Sequence, residues 1–249
     1  MSETLVQAAI LVIGNEILTG RTKDANLPFL AERLEARGIR LAEARVVRDV
    51  EDEIIAALDA LRGRYDYVFT SGGIGPTHDD LTAAAVARAF GRKLVRDAEA
   101  VRRLTVHYGG EEHLTPPRLK MTDIPEGASL IDNPVSAAPG FRVENVFVLA
   151  GVPKILQAMY DQLEPSLLGG APRDKRTVRT ALFESRIAEP LAAIAETYAA
   201  VEIGSYPWFR LGQGGVALVL RSADAAALTQ ATDAVIAMCR AQGDEPVAE

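Results

Sequence analysis

Apolar runs of strand length, QAAILVIG (7–14), LAEARVV (41–47) and YDYVFTSG (65–72), alternate with segments whose apolar residues recur at helical spacing. Parallel strands need long crossovers, so this alternation predicts a doubly wound, mostly parallel sheet with helices on both faces. The first helical pattern is Leu27, Leu30, Ala31 and Leu34, with Asp24 or Asn26 as its cap and Gly38 just past its end. The second is Ile54, Ile55, Leu58 and Leu61, opened by DVEDE (49–53), where Asp49 or Glu51 to Glu53 favours the helix N-terminus. A third, LTAAAVARAFG (81–91), stops at Gly91. In such a sheet ligands sit outside the carboxyl ends of the strands.

The chain from Asp97 to Met121 is charged and helical in pattern, broken by Gly109-Gly110 and Pro116-Pro117. NPVSAAPGF (133–141) reads as a loop, and NVFVLAGVP (145–153) as a buried strand entering a turn and a helix. GGAPRDKR (169–176) is the expected boundary between an α/β domain at 1–170 and a second domain at 175–249. The second reads as strand TVRTALFES, a helix from Ala188, strands VEIGSY and GVALVLR, and a helix from Asp224, a small α+β set.

With a net charge of −7 and no long basic run, the chain has no footprint for a nucleic-acid backbone. A single cysteine, Cys239, excludes an internal disulfide framework and any all-cysteine metal site; it is expected to pack as a small apolar residue. The first apolar run is too short to span a bilayer and lacks a basic leader, so a cytoplasmic protein with no membrane partner is expected.

TSGGIGPTHDD (70–80) sets three glycines beside two adjacent carboxylates. It fits neither the P-loop nor the dinucleotide fingerprint. One reading is a tight turn with Asp79 or Asp80 capping the next helix. The other is a phosphate site, with Gly72, Gly73 and Gly75 bringing backbone N–H groups close to the ligand. Asp79 and Asp80 would repel a phosphate there, and a divalent metal such as Mg²⁺ between them resolves the conflict. His78 reads equally as a ligand, a proton carrier or an exposed loop residue. In GNEILTGRTKDAN (14–26), Glu16 either faces the same metal or holds the loop, and Arg21 and Lys23 either contact a second phosphate or are solvated. A parallel sheet would bring Glu16, Asp49 and Asp80, from three consecutive strand ends, to one edge.

Taken in order, GNEILTGRTKDAN, VVRD, TSGGIGPTHDDLT, NPVSAAPGF and LAGVP resemble the molybdopterin-binding-like domain of the competence/damage-inducible protein A family, also found at the N-terminus of eukaryotic FAD synthases. The resemblance covers residues 5 to 170, and the tail resembles the small domain that follows in such proteins. It implies a fold related to molybdopterin adenylyltransferases and a phosphorylated pterin or nucleotide bound with a divalent metal (Mg²⁺, or Mn²⁺ or Co²⁺). Asp80 and Asp49 occupy the family's two site-aspartate positions, and His78-Asp79-Asp80 matches the competence-protein branch. Asn15 stands where many members carry aspartate, and Ala150 where the adenylyltransferases have proline. Expected catalytic residues are Asp80, Asp79 and Asp49, with Asp80, Asp79 and Glu16 as metal ligands. Ligand contacts are expected at Gly72, Gly73, Gly75, Thr77, Asn26, Asn133, Pro139, Gly140 and Gly151. The implied activity is metal-dependent hydrolysis of a nucleoside diphosphate linkage of the ADP-ribose type, the alternative being a pterin- or nucleotide-binding module without turnover. The deamidase domain of longer members is not matched, so deamidation is not expected. Relatives form oligomers, so self-association is expected. Tyr65, Tyr67 and Phe69 are expected in the core or half-buried, which leaves Phe141 as the stacking candidate.

Overall fold

Eight residues, Val6–Ile13, form β1, and their side chains alternate between two apolar layers. Ala9, Leu11 and Ile13 meet Ile54, Leu58 and Leu61 of α3 (Glu51–Arg62) and Ala85 and Val86 of α4 (Thr82–Ala89). Ala8, Ile10 and Val12 meet Leu30 and Leu34 of α2 (Asn26–Ala36) and Leu156, Met159 and Tyr160 of α7 (Pro153–Leu163). A strand covered on both faces reads as a continuous apolar run, which is why β1 carries one. Each fully buried leucine or isoleucine here contributes roughly 1.5–3 kcal/mol.

The computed structural model describes residues 5–210 and 212–249, in two compact units, Met1–Gly170 and Ala171–Glu249. The first unit also contains α1 (Asn15–Leu18), β2 (Ile39–Val47), β3 (Tyr67–Ser71), β4 (Leu94–Arg96), α5 (Ala98–Tyr108) and α6 (Pro116–Lys120). After these come β5 (Asp123–Pro125), β6 (Ser129–Ile131), β7 (Gly140–Val143) and β8 (Val146–Leu149). The main sheet runs β2-β1-β3-β8-β7-β6. Its first four strands are parallel, whereas β7 is antiparallel to β8, and β6 to β7. The fold is a doubly wound, mostly parallel α/β sheet. Strand order reverses between β1 and β3, and ligands of such sheets bind at this switch point.

Three expectations change. Gly140 and Phe141 belong to β7, and Phe141 is 1% exposed in the core, so it offers no stacking face to solvent. Asp49 does not cap α3: the N-cap position is Val50, without a side-chain bond. α4 likewise has Leu81 at its N-cap position, without a side-chain bond, so neither Asp79 nor Asp80 serves it. Tyr65 and Phe69 are buried and Tyr67 is half-buried, as expected.

The second unit is an antiparallel sheet ordered β10-β11-β9-β12, built from β9 (Asp174–Thr180), β10 (Glu202–Arg210), β11 (Gln213–Ser222) and β12 (Val247–Ala248). Val178, Leu218 and Leu220 of the sheet share a core with Ile187 of α8 (Glu184–Thr197) and Leu228, Val235 and Cys239 of α9 (Ala225–Ala241). The helix expected from Ala188 therefore begins one turn earlier. Cys239 is fully buried, and burial pushes its thiol pKa up, consistent with a packing role. Among the described residues no helix is long and apolar enough to cross a membrane.

Candidate functional site

Around a cavity of about 600 Å³ in the first unit stand the loops that leave β1, β2, β3 and β8, together with the 133–138 loop. Two glycines let these loops approach. Gly72 has φ 109°, a conformation L side chains avoid, and a Cβ there would collide with the Ile13 carbonyl oxygen. A Cβ on Gly151 would stand 3.2 Å from Gly72 Cα, so the β3 and β8 loops touch backbone to backbone. The loop after β3 is tied to α4 by Thr82: its hydroxyl donates to Gly72 O at 2.9 Å and its N–H to Gly73 O at 3.0 Å.

With no cap role, the Asp80 carboxylate folds back into its own loop. It accepts from Gly75 N and Thr77 N, each at 2.7 Å, and from the Thr77 hydroxyl. Asp79, exposed, shares that hydroxyl's single proton, its Oδ1 lying 2.6 Å away. That bond, helped by its own N–H and by His78 and Lys120, holds the Asp79 pKa below the usual carboxylate value. Across the cavity Asp49 Oδ2 accepts from Asn15 N at 2.8 Å, joining the ends of β1 and β2. Asn133 pins the 133–138 loop: Oδ1 accepts from Val135 N and Ser136 N at 3.1 Å, and Nδ2 donates to Ser136 Oγ at 2.7 Å and Ala138 O at 2.8 Å.

Glu16, Asp49, Asp79, Asp80, Gly72, Gly73, Gly75, Thr77, Asn133 and Gly151 thus line one cavity. Asn26 lines a recess beside it, and Pro139 a neighbouring cavity of about 180 Å³. Gly140 does not line the large cavity; it is a packing glycine, where a Cβ would collide with Met159 and the Val148 carbonyl. His78 and Arg21 are exposed and line none of these spaces, whereas Lys23 reaches the recess. The glycine N–H groups are also largely spent, since Gly72 N donates to Leu149 O and Gly75 N to Asp80. Among the cavity glycines, the N–H groups of Gly73 and Gly151 have no partner among the described residues.

Lys120 on α6 carries no motif and was missed by sequence reasoning. It lines the neighbouring cavity and donates to the Thr77 carbonyl, placing a cation behind the acidic loop. The large cavity itself has four carboxylates and no lysine, arginine or histidine in its wall. All its ionisable donors are hard oxygens. Among the described residues no three His, Cys, Asp or Glu side chains converge closely enough to hold a metal by themselves.

Residues 9–169 match the family model described as a probable molybdopterin binding domain, and residues 174–245 the one described as FAD synthase, middle domain. A CinA-like protein of Syntrophus aciditrophicus is 40% identical over 218 residues, covering 82% of this chain and 51% of that protein. A probable FAD synthase of Caenorhabditis briggsae is 37% identical over 225 residues, covering 80% and 43%. The chain thus spans about half the length of these curated relatives. A crystal structure of CinA from Thermoplasma acidophilum, described as of unknown function, matches with a TM-score of 0.61 at 38% identity, covering 64% of this chain and 96% of that one. The five ordered motifs, the fold that gathers them at one sheet edge and these relatives agree: the chain belongs to the CinA family and carries its molybdopterin-binding-like domain.

Proposed function

We propose that the first unit binds a nucleoside diphosphate group in the large cavity and hydrolyses its phosphate linkage with the help of a divalent metal. The observation that carries this reading is the cavity wall, where Glu16, Asp49, Asp79 and Asp80 stand with no basic side chain. Such a wall repels phosphate. A divalent cation between the carboxylates and the ligand turns that repulsion into attraction.

The donor set fits such an ion. Mg²⁺ is commonly held by one or two carboxylates, with substrate phosphates and waters completing its shell, so a site without three convergent side chains suits it. Asp80, with Asp79 or Glu16, would hold Mg²⁺, Mn²⁺ or Co²⁺. When bound, the ion neutralises phosphate charge and eases ionisation of the attacking water. The chain's own groups do the rest. Three hydrogen bonds hold the Asp80 carboxylate in place before any ligand arrives, so little reorganisation accompanies binding. Gly73 N–H is free to donate to a phosphate oxygen. Asp49, fixed by Asn15 N–H on the β1–β2 side, orients the ribose or base.

A second reading, a module that holds a nucleotide or pterin without turnover, draws on the same bonds, since an Asp80 that already accepts three donors has less capacity for a metal. Phosphorus NMR of ADP-ribose and FAD with and without Mg²⁺, Mn²⁺ or Co²⁺ separates the two. Metal-dependent loss of the diphosphate signal is the expected result; intact signals that broaden on adding protein would leave the binding module. The same reading has the protein working in the cytoplasm as a homo-oligomer, which sedimentation equilibrium tests.

A further inference from the structure

Beside the large cavity lies a recess of about 50 Å³, sharing Ile13, Glu16, Thr22, Gly151 and Pro153 with it. Asn26, the first residue of α2, lines this recess and is only 3% exposed. It was a cap candidate for α2, but Asp24 takes that work, accepting from Asn26 N at 3.3 Å and Leu27 N at 2.9 Å. The Asn26 side chain is left for another purpose. Its Nδ2 donates to Ser71 Oγ and to Gly151 O, each at 2.7 Å. A carbonyl can only accept, so the bond to Gly151 fixes which end of the amide is which. Oδ1 is then buried with no hydrogen-bond donor. Buried acceptors are nearly always satisfied, and an exception needs a physical cause.

We propose that Asn26 Oδ1 is the specificity-determining acceptor for a sugar hydroxyl of the nucleotide whose phosphates occupy the large cavity, an inference that rests on the function proposed above. The size of the recess selects the group. The recess is far smaller than the cavity it opens from, which suits a hydroxyl or an amino group better than a heterocyclic ring. Its chemistry selects further. Asn26 and Asp24 supply acceptors while Thr22 and Lys23 supply donors, which suits a hydroxyl that both donates and accepts. A ring amine donates only. Because Asn26 is bonded to Ser71 at the end of β3 and to the β8 loop, it also ties sugar recognition to the two loops that frame the diphosphate.

The test is calorimetric titration, with Mg²⁺ present, of ADP, 2′-deoxy-ADP, 3′-deoxy-ADP and IDP into the wild-type chain, Asn26→Ala and Asn26→Ser. The expected result is that ADP and IDP bind the wild type alike and about tenfold more tightly than at least one deoxy analogue. In Asn26→Ala that preference disappears, with ADP falling to the level of the deoxy compound. Equal wild-type affinity for ADP and both deoxy analogues overturns the proposal, as does a preference kept in a folded Asn26→Ala or Asn26→Ser. Weaker IDP binding with unchanged deoxy binding overturns it in favour of a ring amine. Equal wild-type affinities overturn the proposal even if both variants fail to fold. If the wild type binds no nucleotide, the diphosphate reading itself falls and takes this one with it; binding without hydroxyl preference removes only the role of Asn26.

Discussion

Five aspartates stand just ahead of helices among the described residues, and they are used in two ways. Asp24 accepts from Asn26 N and Leu27 N at the start of α2. Asp97 accepts from Ala100 N at the start of α5, and Asp224 accepts from Ala226 N and Ala227 N at the start of α9. Asp49 and Asp80 stand two residues ahead of the first helical residue, as Asp24 does, but bond to loop N–H groups instead. A cap is worth about 1 kcal/mol. Forgoing two of them after strands that flank β1 on either side, and turning both carboxylates to one cavity, is hard to explain by stability. It is what a ligand site needs.

Glycines divide the same way. Gly72 and Gly109 both have positive φ, but a Cβ on Gly109 would meet open space while one on Gly72 would collide with Ile13 O. Gly72→Ala is therefore expected to cost on the order of 3 kcal/mol in urea denaturation, against about 1 kcal/mol for Gly109→Ala. Equal costs would erase the distinction between a rim glycine and a helix-ending one. Asp80→Asn is expected to lower metal-dependent hydrolysis of ADP-ribose about a hundredfold or more, read by phosphorus NMR, with the fold retained in circular dichroism. Undiminished turnover in a folded variant would return Asp80 to a purely structural role. Asp224→Ala and Asp97→Ala each should lose about 1 kcal/mol of stability and no turnover.

The smallest effect concerns pH. Arg102 and Arg103 hold the Glu99 carboxyl on α5 at about 2, while Asp79 on the cavity rim is lowered mainly by the Thr77 hydroxyl. Both groups have folded pKa values below their unfolded ones. Their contribution is therefore present above the ordinary carboxylate range and lost as pH falls through the folded value, near 2 for Glu99. Carboxyl NMR titrations should show added salt raising the Glu99 value more than that of Asp79, and Thr77→Val raising only Asp79. The opposite pattern would mean that charge, not a fixed hydroxyl, governs the rim.

What the sequence revealed follows from run length. The continuous apolar run of β1 specifies a strand covered on both faces, and with it the parallel sheet. β6 and β7, with three and four residues, are too short to show a period, so Gly140 and Phe141 read as loop. In the site, residue types were readable but directions were not: an aspartate before an alanine-rich helix looks like a cap whichever way its carboxylate turns. Asn26 was ambiguous for the same reason until Asp24 was seen to hold the first turn. Lys120 meets Thr77 across 43 residues, a contact no local pattern encodes.

The touching glycines of the β3 and β8 loops also bear on how the molecule is made. β3 and β8 are neighbours in the sheet, yet α4, α5, α6 and four short strands separate them in the chain. The glycine loop leaves the ribosome well before the strand and the 133–138 loop that complete its cavity. A nascent chain that stops short of Val146 has a bare acidic loop and no pocket. Such distant pairings form slowly. Ligand, if present during synthesis, can bind only once β8 has docked, so it stabilises the finished domain and gives no help to the intermediates that precede it.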